Sequence, residues 1–85
     1  MLTNVFFLVV DDEQEVCNFF SYLLQSKGYR VKTANTGEAA FKKLGSQQFN
    51  VALVDLKLPD CNGLTILRKI KKAKRLHKPL DFYIN

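Results

Sequence analysis

Three aspartates carry the chemistry that this sequence could do. Asp11 and Asp12 follow the apolar run "VFFLVV", and Asp55 closes the apolar run "VALV". Carboxylates at such places can bind a hard divalent cation or serve as a nucleophile. Pro59 and the Asn62–Gly63 pair follow Asp55 at short spacing, in "DLKLPDCNG". A charged side chain leaving a buried strand beside a rigid turn is the feature that needs a physical account.

Whether these acids meet depends on the elements that carry them. "NVFFLVV" and "VALVD" are continuously apolar, as strands buried on both faces of a parallel sheet are. "DDEQEVCNFFSYLLQSKG" reads as a helix. Val16, Phe19, Phe20, Leu23 and Leu24 form its apolar stripe, Asp12, Glu13 and Glu15 crowd its first turn, and Lys27–Gly28 stops it. Cys17 borders that stripe and is expected to be semi-buried. "YRVKTA" alternates, as a strand with one wetter face does. Asn35 or Thr36 caps a second helix whose inner face is Ala40, Phe41 and Leu44 and which Gly45 ends. "GLTILRKIKKAKRL" is a third helix with Leu64, Leu67, Ile70 and Ala73 inward. "PLDFYIN" offers a last short strand in which Asp81 fits poorly. Phe19, Phe20, Phe41 and Phe49 are read as core.

Strands alternating with helices imply right-handed parallel crossovers and an α/β layer fold. All strand C-termini then lie on one sheet edge. Were the first strand to lie between the second and third, in the order 2-1-3, Asp11, Asp12 and Asp55 would share one crevice. Like charges about 4 Å apart repel by about 4 kcal/mol at an effective dielectric near 20, so the cluster calls for a cation or a retained proton. Hard oxygen donors favour Mg²⁺, which keeps several waters. Seen alone, Asp12 is a helix cap and Asp55 a strand-end turn residue; together, at the ends of the two most apolar strands, they read as a site.

Composition narrows the alternatives. The chain has 85 residues and 47% hydrophobic content, enough for one small core and too much for disorder. No apolar run approaches the roughly 20 residues of a membrane span, and no basic residue precedes "VFFLVV" as in a secretion signal. A cytoplasmic location is the expectation. One histidine, His77, and two distant cysteines, Cys17 and Cys61, argue against zinc. There is no glycine-rich phosphate loop, and "DCNG" lacks the spacing and terminal Glu of a calcium loop. Residues 1–63 carry six basic and seven acidic side chains, a net −1, whereas residues 64–85 carry seven basic and one acidic, a net +6. The basic run Arg68–Lys78 is read as the solvated face of the third helix rather than a nucleic-acid contact.

"FLVVDDE", "TGEAAFKKL" and "VALVDLKLPDCNGLTILRKIK" resemble the receiver domain of bacterial two-component response regulators, over about residues 4–72, with 73–85 divergent. The resemblance implies a flavodoxin-like parallel sheet in the order 2-1-3, with the fourth strand next. It implies that Asp55 is the phosphoacceptor, that Asp12 and Asp55 ligate Mg²⁺ directly, that Asp11 acts through a metal-bound water, and that the Lys57 backbone carbonyl is a further ligand. The implied partner is a sensor histidine kinase, whose phosphohistidine supplies the phosphoryl group. A dehalogenase-like phosphatase would want a second Asp at position 57; Lys57 argues against it. Pro59 is expected to fix φ after Asp55 and Gly63 to supply a backbone angle that other residues resist.

Residues 1–85 are thus read as one receiver-like domain, incomplete after about the fourth strand. The Ser or Thr after the fourth strand and the Lys after the fifth, which the family resemblance implies, have no counterpart here. Phosphoryl transfer is therefore expected to be impaired. Self-association through an exposed sheet edge and apolar patch is a further expectation. The alternative function is a non-phosphorylatable interaction module on the same scaffold.

Overall fold

The computed structural model describes residues 4–73 and 81–84. The elements alternate: β1 (Phe6–Val10), α1 (Gln14–Ser26), β2 (Arg30–Ala34), α2 (Gly37–Ser46), β3 (Val51–Val54), α3 (Gly63–Ala73) and β4 (Asp81–Ile84). The strands form a four-stranded sheet in the order β2-β1-β3-β4. Every pairing is parallel, with Val10 opposite both Ala34 and Val54, and Val54 opposite Ile84. The expected flavodoxin-like α/β architecture is therefore present. The most apolar strands, β1 and β3, are neighbours inside the sheet, where both faces of a strand are covered. Asp81 opens β4 opposite Val51, at the end of the ladder rather than within it.

One sheet face holds a closed core. Leu8, Val10, Ala52 and Val54 point into it and meet Ala40 of α2, Ile66 of α3 and Phe49. The Phe6 and Phe49 rings stack at 4.4 Å, and Asn50 clamps the Phe6 backbone, accepting its N–H through Oδ1 at 2.7 Å and donating to its carbonyl at 2.8 Å. That clamp sets the β1–β3 register at its entrance. The other face carries α1 over β1 and β2, with Cys17 fully buried beneath it. By register Tyr83 lies on this face, and it is 56% exposed.

Several helix details differ from the sequence expectations. Helix α1 starts at Gln14, so Glu15 is the only acid in its first turn, and Asp12 and Glu13 precede it. Its inner face turns on Cys17, while Phe19 is 60% exposed rather than core. Gly28, at φ +93°, closes α1 as expected, with its own N–H on the Gln25 carbonyl and the next N–H, of Tyr29, on the Leu24 carbonyl. Thr36 caps α2 through its hydroxyl, and that helix runs past Gly45 to Ser46. Among the described residues of α3, Gly63 and Ile66 are buried, and Leu64 is 40% exposed. The helix begins at Gly63, which places Gly63 and Ile66 on its buried side, leaves Leu67 half-buried and turns Leu64 away. The side chains of Ile70 and Ala73, and the residues Leu76, His77 and Lys78, lie outside the described set.

Truncating Ile66 to Ala should lower stability by about 2–5 kcal/mol, a large share of the roughly 0.05–0.15 kcal/mol per residue that holds a domain together. Phe19→Ala should cost about 0.5 kcal/mol or less, as an exposed substitution does. Urea unfolding of both variants checks the contrast, and equal losses would contradict this packing.

Candidate functional site

The ladder that joins β1 to its neighbours continues one residue past each strand. Asp55 donates its N–H to the Val10 carbonyl at 2.8 Å, and Asp11 donates to the Ala34 carbonyl at 3.0 Å. Those bonds bring the chain segments after β1 and β3 side by side at the C-terminal edge of the sheet. One carboxylate oxygen each of Asp11, Asp12 and Asp55 lies within 4.8 Å of the others. Asp11 is buried, Asp55 half-buried and Asp12 exposed, so the cluster opens to solvent on one side.

Each acid is held by its own loop. Asp11 Oδ1 accepts the Glu13 N–H at 2.9 Å, which turns the chain into α1. Asp55 Oδ1 accepts the Lys57 N–H at 3.3 Å, which leaves its second oxygen uncommitted to that loop. Below the cluster, the Asp11 carbonyl accepts from Asn35 Nδ2 at 2.9 Å and from the Cys17 thiol at 3.4 Å. Burial pushes the Cys17 thiol up, against the opposing effect of its backbone hydrogen bond, and the Asp11 charge pushes the same way as burial. Cys17 thus serves as a hydrogen-bond donor beneath the cluster. Its full burial, deeper than its place beside the stripe indicated, serves this contact.

The loop after Asp55 is closed on itself. Lys57 and Asn62 form an antiparallel bridge, Leu58 N–H donates to the Cys61 carbonyl at 3.0 Å, and Gly63 N–H donates to the Leu56 carbonyl at 2.7 Å. Asn62 then starts α3 by accepting the Leu64 N–H through Oδ1 at 2.7 Å. Gly63 is needed here for closeness, not for an unusual backbone angle, since Gly28 is the positive-φ residue among those described. A Cβ on Gly63 would stand 2.7 Å from the Asp55 carbonyl oxygen and 3.2 Å from Leu56 Cα. At the loop tip, the Asp60 carboxylate accepts the N–H groups of Gly37 at 2.7 Å and Glu38 at 2.9 Å. These two bonds, Gly37's the stronger, hold the Asp60 carboxyl below the usual carboxylate range. Asp60 opens the "DCNG" that falls short of a calcium loop; its role as a partner of α2 leaves no mark in the sequence, because Gly37 and Glu38 lie more than twenty residues away.

No described Lys or Arg pairs with the three clustered acids; the ion pair among the described residues joins Lys42 to Glu38 at the surface. The donor set is hard oxygen throughout, which fits Mg²⁺ and excludes a thiolate–imidazole metal site. Oxygens bound at about 2.1 Å to one ion stand about 3–4 Å apart. The observed 4.8 Å span is thus of the right size for a shared cation with a water completing one contact.

Comparisons with known proteins agree with this picture. The family model for the response regulator receiver domain matches residues 7–80. A receiver domain protein of CheY-like type from Methanospirillum hungatei superposes with a TM-score of 0.86 at 30% identity, covering 96% of this chain and 63% of that one. A response regulator protein from Thermotoga maritima, solved in complex with Mg(2+)-BeF, gives 0.80 at 34% identity, covering 94% of this chain and 65% of that one. The CAI-1 autoinducer sensor kinase/phosphatase of Vibrio cholerae is 37% identical over 71 residues, which is 84% of this chain and 10% of that protein. The chain therefore spans about two thirds of these solved neighbours and a tenth of that curated relative.

Two outcomes follow from the loop. Gly63→Ala should destabilise the fold by about 1–3 kcal/mol through overpacking against Asp55, read by urea unfolding; a neutral result would contradict the close approach. The Asp60 contribution to stability should be complete above the unfolded carboxylate value and vanish as pH falls through its lowered folded value. Acid titration of stability in Asp60→Asn should lack that segment.

Proposed function

Because the chain belongs to the family of response regulator receiver domains, we propose that it accepts a phosphoryl group on Asp55 from the phosphohistidine of a sensor histidine kinase. The reading rests on one observation above all: three carboxylates gathered at the ends of β1 and β3, with no described cation beside them. In the transfer, a carboxylate oxygen of Asp55 forms a bond to phosphorus while the bond from phosphorus to the histidine nitrogen breaks. The product is an acyl phosphate, and the imidazole leaves with the electron pair.

The residues divide the work. Asp55 presents its oxygen from a half-buried position fixed by the Val10 carbonyl and by the Lys57 N–H. Asp12 and Asp55 would hold Mg²⁺ directly, Asp11 through a water, and Lys57 through its backbone carbonyl. The ion, when bound, neutralises phosphoryl oxygens as charge shifts in a loose transition state. Asp11 orients the entry to α1 at the same time, through the Glu13 N–H. Gly63 lets the loop fold back onto the Asp55 carbonyl, which keeps Lys57 beside the nucleophile. A cytoplasmic setting belongs to the same reading. So does self-association through an exposed sheet edge.

Incubation with acetyl phosphate and Mg²⁺ should add one phosphoryl group to the intact mass, and Asp55→Asn should abolish the gain. Asp12→Asn, which removes a charged direct ligand, should weaken Mg²⁺ binding by at least the roughly 10- to 100-fold that loss of an outer-shell partner costs. A folded protein that gains no mass on prolonged incubation would overturn the reading and favour an interaction module.

A further inference from the structure

The bonds inside the Asp55–Gly63 loop fix its shape but not its direction. Its first stem is anchored on the sheet, through Asp55 to Val10, and its second stem closes onto the first, through Gly63 to Leu56. Its tip is anchored elsewhere. The two oxygens of Asp60 accept separate N–H groups, those of Gly37 and Glu38, from the start of α2. The next donor, Ala39 N–H, goes to the Thr36 hydroxyl at 3.1 Å, and Ala40 N–H to the Thr36 carbonyl. The orphan donors of α2 are thus shared between a local cap and a carboxylate from a different loop.

The fit between tip and helix is close. A Cβ at Gly37 would collide with Cys61 Sγ, and the Asp60 oxygens would lie 3.2 and 3.5 Å from it. The same β2–α2 turn reaches the other acidic loop, where Asn35 Nδ2 donates to the Asp11 carbonyl at 2.9 Å. Residues Asn35–Glu38 therefore touch both segments that carry the clustered acids. Thr36 could cap α2 alone; a distant carboxylate adds a link between helix and loop.

We propose that Asp60 is a positioning residue that ties the Asp55–Gly63 loop to the β2–α2 turn, so that Lys57 is held in register with Asp11 and Asp12. The proposal rests on the phosphoacceptor reading for its consequence, and on the loop geometry for its mechanism. Without the tie, the loop swings about its stems and opens its internal bonds, those of Leu58 and Gly63, more often, and the Lys57 carbonyl loses its fixed distance from the acids.

Amide hydrogen exchange of the metal-free protein tests the mechanism. In Asp60→Ala the Leu58 and Gly63 amides should exchange about 10-fold faster or more, by local opening. Asp60→Asn, which retains one acceptor oxygen, should fall between. Thr36→Ala weakens the same helix start without touching the loop; it should expose Ala39 and leave Leu58 and Gly63 at their original rates. Mg²⁺ titration by calorimetry should show affinity falling in the order wild type, Asp60→Asn, Asp60→Ala, and unchanged in Thr36→Ala. Unaltered loop exchange in both Asp60 variants, or equal acceleration in Thr36→Ala, would overturn the proposal. A wild-type protein that takes up no Mg²⁺ would remove the phosphoacceptor reading, and the exchange rates would still decide the tie.

Discussion

The hydrogen bond from Asp55 N–H to the Val10 carbonyl is the contact on which the site depends. It exists because β1 and β3 are parallel neighbours in register, and that pairing follows from burial. Leu8, Val10, Ala52 and Val54 are almost completely withdrawn from water, and burying each such side chain is worth about 1.5–3 kcal/mol for the larger ones. Bringing carboxylates together opposes this by about 4 kcal/mol per pair at 4 Å and an effective dielectric of 20. Asp12 faces solvent, which screens its part of the repulsion. Core burial therefore dictates where the charges sit, and a divalent cation is the natural relief of the repulsion that remains.

The sheet is unequal in its two faces, and the inequality bears on function. Helices α2 and α3, the latter through Ile66, close one face over Leu8, Val10, Ala52 and Val54, which gives the edge carrying the acids a packed floor. Lys69 of α3 lies over the Phe41 ring of α2 at 4.4 Å, which joins the two helices on that side. On the opposite face α1 spans β1 and β2, and Phe19, Leu23 and Tyr83 remain exposed. The acids thus sit at the rim of a well-packed half.

Much of this was legible in the sequence because burial on both faces leaves an unbroken apolar signature. "FFLVV" and "VALV" announced the central strands, and the acids after them announced the edge. Helix phase was less legible. Leu64 and Ile66 are both apolar, and only the start of α3 at Gly63, fixed by the Asn62 cap, decides which one faces the sheet. Phe19 misled for a related reason: it lies on the apolar stripe, yet it is 60% exposed while Cys17 at the stripe's border is fully buried. Gly63 was picked out rightly but for the wrong cause, since a close approach between backbones leaves no mark in sequence that differs from a turn. The role of Asp60 was invisible because its partners are set by tertiary contact alone.

These misses share a physical origin. Periodicity reports which residues want to leave water; it does not report distances between loops. The arrangement around Asp55 is made of distances: Gly63 against the Asp55 carbonyl, Cys61 against Gly37, and Asp60 on two helix N–H groups. Each requires a small residue or a short polar one at a point where two segments meet. A loop built this way has few internal freedoms, because moving its tip breaks contacts on α2 and moving its stem breaks the ladder to β1. A phosphoacceptor needs that stiffness, since a nucleophile misplaced by about 1 Å can lose a hundredfold in rate.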